Sequence, residues 1–161
     1  MLDEKIKKGK VRNMEQVPWE VKISLAVLLV ICSYGDIKRR QISLFPMLIA
    51  SAFIVFFSLI SYTQGMGWID RVYGAGIGTL LIVISLVTNG QIGMGDGFLF
   101  IIIGFGIGFW NSFSVLIYSL IFVCIGACYL LGIKKKQKKT EVPFVPFIGL
   151  GYISLLIVSN V

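Results

Sequence analysis

Four stretches of the chain, residues 42–69, 72–95, 97–133 and 142–161, contain no Asp, Glu, Lys or Arg. About 20 apolar residues carry a helix across the hydrocarbon core of a bilayer, and within that core every backbone N–H and C=O must find a partner inside the protein. Runs of this length therefore point to membrane-crossing helices. A shorter run, Ile23–Gly35, gains length from Trp19 and Val21 and from the aliphatic stem of Lys22. With 57% of the 161 residues hydrophobic and 14% charged, the chain lacks the polar surface of a water-soluble domain. The expected fold is all-α, a polytopic membrane bundle of about six transmembrane helices over roughly 19–36, 42–62, 71–88, 96–110, 113–133 and 143–160. Residues 1–18 are expected as a separate basic N-terminal segment and 19–161 as the membrane domain.

The run 97–133 decides the helix count. As one helix rising 1.5 Å per residue it would be about 55 Å long, against a hydrocarbon core of about 30 Å. Trp110-Asn111-Ser112 offers a turn near its middle, with an aromatic suited to the membrane interface. Charge parity tests the split. Lys38-Arg39-Arg40 and the cluster Lys134–Lys139 both belong in the cytoplasm by the positive-inside rule. A hairpin over 97–133 places four crossings between them and returns the chain to the same side, whereas one long crossing would separate them. The hairpin satisfies both clusters. The rule is strained at the start, where Lys5, Lys7, Lys8, Lys10 and Arg12 precede a helix whose first residue then lies outside. Translation beginning at Met14 would leave MEQVPWEVK, with no basic excess. The first 17 residues do not read as a cleavable signal sequence.

A formal net charge of +7 raises nucleic acid as a partner. Ten of the fifteen basic residues, however, fall in Lys5–Arg12 and Lys134–Lys139, and three more are Lys38, Arg39 and Arg40. Short basic stretches abutting apolar helices read as anchors on anionic lipid, so membrane lipid is expected and nucleic acid is not. The chain has no histidine, and Cys32, Cys124 and Cys128 lie inside apolar segments without a C-x-x-C pair. Neither a zinc site nor a disulfide framework is expected, and the three thiols read as small buried apolar groups. No metal or cofactor is called for. Gly74, Gly76 and Gly78, with Gly104, Gly106 and Gly108, contain two G-x-x-x-G spacings suited to close helix packing in lipid. GAGIG is not read as a dinucleotide loop, because no strand precedes it and no acid follows at the required distance.

Six of the eight acidic residues have ordinary addresses. Asp3, Glu4, Glu15 and Glu20 precede or begin the first helix, Asp70 pairs with Arg71 in an outer loop, and Glu141 ends a basic loop. Asp36 and Asp96 differ, because each sits at a helix end within reach of the membrane interior. The first helix ends at the cytoplasmic face, and two crossings later the chain is back there to open the fourth. Parity therefore puts both carboxylates at one depth. Two carboxyls held close in a low dielectric share a proton, and their titration belongs to the pair. One member takes a proton from water while the other polarises a peptide carbonyl, as in an aspartic protease. Gly93 and Gly95 let the backbone approach an extended substrate. Two other readings stay open at this point: ion or proton translocation, and a plain helix N-terminal acid at Asp96 with an Asp36 ion pair to Lys38 or Arg39.

Three motifs carry a resemblance. GMGD at 93–96 resembles the G-x-G-D signature of intramembrane aspartyl proteases. DIKRRQIS at 36–43 is similar to the first-aspartate motif of the type IV prepilin and preflagellin peptidases, and EVPFVPFIGLG at 141–151 to the Pro-Phe-x-Pro-Phe stretch opening that family's last helix. The resemblance covers residue 19 to the end and implies that Asp36 and Asp96 are the catalytic pair. Gly93, Gly95, Arg40, Pro143, Phe144 and Pro146 would bind substrate or shape the site. It implies a multi-pass protein of the cytoplasmic membrane that cleaves the basic leader of a prepilin-like or preflagellin-like substrate at the cytoplasmic border. Members that also methylate the new N-terminus usually carry a cytoplasmic domain with cysteine pairs, so a peptidase-only form is implied here. The chain departs from the family at Ser43-Leu44, where Pro-Asn is common, and at Phe98, where Lys is common. The alternative is a small ion- or proton-coupled transporter that uses Asp36 and Asp96 as carriers. A scaffold role in a secretion or pilus complex is a third reading.

Overall fold

The computed structural model of the chain describes residues 17–39, 48–49, 51–56, 68–88, 93–132 and 144–159. Among these residues there are six helical stretches and no strand. They are α1 (Trp19–Arg39), α2 (helical over 48–49 and 51–56), α3 (Trp68–Val87), α4 (Met94–Ile107), α5 (Phe109–Gly132) and α6 (Val145–Ser159). The protein is an all-α helical bundle, as the uncharged runs require.

Helix termini follow local chemistry. α1 begins after Pro18, whose carbonyl accepts from Val21 N (3.1 Å) and Lys22 N (3.2 Å). Pro has no N–H to lose and a fixed φ suited to a helix start. α4 ends at Gly108, which adopts φ 78° and ψ 177° and donates its N–H to the Gly104 carbonyl. A side chain is disfavoured at that φ, so glycine sets the break. The sequence expectation placed it at Trp110-Asn111-Ser112. Those residues instead form the first turn of α5, where Ser112 N donates to Gly108 O (3.1 Å) and Asn111 Nδ2 to Ile107 O (2.9 Å). Turn-type residues here tie the new helix to the last carbonyls of the old one.

Helix directions follow from contacts. The Gly74 backbone abuts Gly104 and Gly108, and Gly78 abuts Gly97 and Ile101, so α3 and α4 are antiparallel. Gly151 abuts Val115 and Ser119 while Gly126 faces the Phe147 ring, so α5 and α6 are antiparallel. α6 also runs against α1, with Val145 at Asp36, Gly149 near Ser33 and the Tyr152 hydroxyl donating to the Lys22 carbonyl (3.1 Å). Gly106 of α4 lies against Val21 and Leu25 of α1. Hence α1, α3 and α5 run one way, α4 and α6 the other. The chain reverses at Gly108, and the expected hairpin is present.

Leu25 and Leu28 of α1, Phe100 and Ile103 of α4 and Ile148 and Tyr152 of α6 are buried in one core. The outward faces are apolar too: Ile23, Val27 and Val30, then Val72, Leu80 and Val83, then Leu120 and Ile121, then Ile153 and Ile157 are all exposed. Helices apolar all round suit a lipid surround, since water-soluble proteins rarely expose patches of this extent. Trp68–Val87 and Phe109–Tyr129 are each long and apolar enough to cross a membrane. α4, with 14 residues, is about 21 Å long and falls short of a full core.

Three expectations change. Asp70 and Arg71 lie in the first turn of α3 rather than a loop, and Arg71 is buried. Of the cysteines only Cys32 is buried, while Cys124 and Cys128 are exposed on α5. Of the glycines, Gly76 faces open space, whereas Gly97, which was not among the glycines expected to pack helices, packs tightly on Ile82 and Gly78.

Candidate active site

Asp36 is in the last turn of α1, half-buried, and its Oδ2 accepts the backbone N–H of Val145 at 3.2 Å. Val145 is the first residue of α6, and the amides of a first helical turn have no partner within their own helix. Asp36 thus acts as a cap supplied by a different helix. The Phe144 carbonyl accepts from Phe147 N (3.0 Å) and Ile148 N (3.2 Å), which makes Phe144 the last residue before the helix proper. Pro146 then stands in the first turn, where its missing N–H costs little. Phe144 packs against the core and holds this start in place.

Asp96 is the third residue of α4 and only 8% exposed. Gly93 caps the helix at φ −62° and ψ 122°, and its carbonyl accepts Asp96 N at 3.1 Å. A Cβ on Gly93 would lie 2.8 Å from Asp96 Oδ2, so the carboxylate folds back over the cap and glycine leaves it room. Among the described residues the Asp96 carboxylate carries no hydrogen bond and is free for another group. On its other flank Gly97 brings α4 against Ile82 of α3, which fixes the depth of Asp96.

The two aspartates come from separate helices to the same end of the bundle and lie within electrostatic reach of each other. α4 and α6 both begin at this end. Each carboxylate therefore meets the partial positive charge of a helix N-terminus, Asp96 that of its own helix and Asp36 that of α6. Gly93, Gly95, Phe144 and Pro146 gather here as well; Arg40 and Pro143 lie outside the described residues, as do the side chains proposed to pair with Asp36. Phe98, one of the departures from the family pattern, is exposed on the outer face of α4.

Two neighbours of Asp36 were not foreseen from sequence. Val145 holds Asp36 through its backbone, and the one signal for it was its place between the two prolines of PFVPF. Cys32, buried one turn before Asp36 and within its electrostatic reach, had the i, i+4 spacing as its signal. Among the described residues no three His, Cys, Asp or Glu side chains gather as a metal cluster would. Residues 23–131, which include both aspartates, match the sequence model of the type IV leader peptidase family. No curated protein and no solved structure matches the chain.

Proposed function

The chain belongs to the type IV leader peptidase family, and on that premise we propose that it is an intramembrane aspartic endopeptidase with Asp36 and Asp96 as its catalytic pair. Its substrate is a prepilin-like or preflagellin-like protein with a short basic leader before an apolar helix. The observation that carries this reading is the convergence of two carboxylates, from different helices, at one end of a largely apolar bundle. Carboxylates in such a setting mark a functional site, and the family match favours peptide cleavage as that function.

The division of labour follows from their surroundings. Asp36 is the more exposed of the two, and one of its oxygens is occupied by the Val145 N–H. The other oxygen takes a proton from water as that water attacks the scissile carbonyl. Asp96, sheltered and unpartnered, donates the shared proton to the carbonyl oxygen as the tetrahedral intermediate forms. The intermediate then collapses: the C–N bond breaks, the proton held by Asp36 passes to the leaving amine, and a hydroxyl of the intermediate returns its proton to Asp96.

The positive-inside argument supports a multi-pass arrangement in the cytoplasmic membrane with the aspartates near the cytoplasmic face. A substrate leader rich in Lys or Arg would sit there, with its apolar helix in the bilayer. A peptidase without methyltransferase activity is part of the same reading. The test is co-expression with a candidate prepilin, followed by the size and N-terminal sequence of the product. Asp36→Asn and Asp96→Asn should each abolish cleavage while the protein stays folded in the membrane. The double variant should be hardly worse, since groups acting as a unit are non-additive. Substantial cleavage by either variant would return the pair to the transporter reading.

A further inference from the structure

The end of the bundle opposite the aspartates holds a second polar cluster. Arg71 Nη1, Asn111 Oδ1 and Ser112 Oγ are buried and, among the described residues, have no hydrogen-bond partner. The three residues are 3%, 2% and 0% exposed. Register brings them together. The Gly74 backbone abuts Gly108; Arg71 stands one turn before Gly74, and Asn111 and Ser112 stand one turn after Gly108. Asn111 Nδ2 is committed to the Ile107 carbonyl at 2.9 Å, which leaves Oδ1 as the free atom of that amide.

Charge at this end is shared unevenly among the helix starts. α1, α3 and α5 all begin here, and each N-terminus carries partial positive charge. α1 has Glu20 in its first turn and α3 has Asp70, but α5 has no acid in its first turn. Asp70 lies within electrostatic reach of Arg71 yet makes no hydrogen bond to Nη1. A buried guanidinium atom and a buried hydroxyl thus have no hydrogen-bond partner among the described residues, beside a helix start that has no acid of its own. Water could fill these hydrogen bonds one at a time, whereas a phosphate would meet the guanidinium, the hydroxyl and the helix start together.

All three tryptophans of the chain mark this same end. Trp19 starts α1, Trp68 starts α3 and Trp110 is in the first turn of α5, and all three are exposed. Exposed tryptophan on an apolar bundle sits at the headgroup level of a bilayer. We propose that Arg71, Ser112 and the N-terminus of α5 form a site for the phosphate group of a membrane phospholipid, on the face away from the aspartates. Arg71 and the Ser112 hydroxyl donate to phosphate oxygens, and Asn111 Oδ1 accepts from a headgroup hydroxyl or a bridging water. The membrane reading bears only on where the phosphate comes from, and the proposed cleavage chemistry does not depend on this site.

The test uses the full chain, purified in detergent and stripped of lipid, with the thermal unfolding midpoint as readout. Phosphatidylglycerol should raise the midpoint, while a diacylglycerol with the same acyl chains, lacking phosphate, should not. Arg71→Gln should abolish the rise, and Ser112→Ala, a small change that keeps the fold should Arg71→Gln fail to express, should weaken binding by about tenfold. Lys22→Gln, which alters a cation on α1 near the same end, should retain the full response. A rise with inorganic phosphate that shows the same losses would assign the site to phosphate from water instead. Equal responses in wild type and variants, or no response to any phosphate, would overturn the proposal and leave the cluster to ordered water.

Discussion

The two ends of this bundle use glycine and charge in opposite ways. At the aspartate end, Gly93 leaves space for a side chain, and helix N-termini meet carboxylates that the chain itself supplies. At the tryptophan end, Gly74, Gly104 and Gly108 bring backbone against backbone, and a buried arginine stands near a helix start, that of α5, with no acid of its own. One end is arranged around two carboxylates, with Gly78 and Gly97 packing α3 on α4 beside them; at the other, the glycines serve that packing alone. Glycine count and spacing look alike at both. What separates Gly93 from Gly74, Gly78 and Gly104 is that the atom a Cβ would meet belongs to a carboxylate of the proposed catalytic pair rather than to the main chain.

That contrast predicts a graded series, and its largest member is Gly104→Ala. A Cβ there would strike the Gly74 carbonyl and Ala75 N, which cannot move without parting the two helices. Overpacking of this kind costs on the order of 3 kcal/mol. In a bundle with this little polar reinforcement, the expected outcome is loss of folded protein from the membrane, read by expression level and by the thermal midpoint in detergent. Gly104→Ala with a wild-type midpoint would show that the hairpin is looser than its backbone contacts imply.

Gly93→Ala comes next and should behave differently in kind. The atom in its way is Asp96 Oδ2, at the end of a short side chain that can turn aside. The fold should therefore survive, with the midpoint close to wild type, while the carboxylate is re-aimed. A misplacement of about 1 Å in a reacting group costs roughly 100-fold. Cleavage assays should show a loss of that order with normal membrane levels. A joint loss of stability and activity would erase the distinction between the two ends.

The sequence made part of this contrast legible and hid the rest, for physical reasons. Uncharged runs gave the helices, and charge parity placed Asp36 and Asp96 at one end, because both depend only on how often a chain crosses a slab. The break in 97–133 was misplaced. Asn111 and Ser112 are turn formers by propensity, but the residue that had to be glycine was Gly108, and nothing local distinguishes it from Gly104 or Gly106. Arg71 read as a loop cation beside Asp70, because burial of a side chain at a helix start depends on α5, far away in sequence. The link from Val145 to Asp36 runs from a backbone N–H to a side-chain oxygen, between residues 109 apart. No side-chain pattern could have announced it, although the motif around it did point to the right place.

Val145→Pro isolates that bond and is the third step down. Proline is accommodated at the first helical position, so α6 should still begin there, but the N–H that Asp36 accepts is gone. A hydrogen bond to a charged group contributes about 1.5–3 kcal/mol, though part of the loss is recovered by water at a half-exposed carboxylate. The expected result is roughly a tenfold drop in cleavage with unchanged membrane levels. Val145→Ala, which keeps the N–H, should retain cleavage. If both variants fell equally, the buried Val145 side chain rather than its amide would be what positions Asp36.

The smallest effect belongs to Gly76→Ala, and it sharpens the comparison because it sits between two intolerant neighbours. Gly74 and Gly78 lie on the face of α3 that meets α4, where a Cβ would strike backbone atoms. Gly76 lies two residues from each, which turns it to another face, and nothing stands within 4 Å of a Cβ built there. The three share a helix, a depth and a motif, so composition and membrane position cancel between them. Alanine also restricts the unfolded backbone, worth up to about 1 kcal/mol in an exposed helix interior. Gly76→Ala should therefore leave cleavage and the thermal midpoint unchanged or slightly raise the midpoint, while Gly78→Ala lowers it sharply. A destabilised Gly76→Ala would mean that this open face is covered in the membrane by another helix, and the tight packing now assigned to one side of α3 would have to be assigned to both.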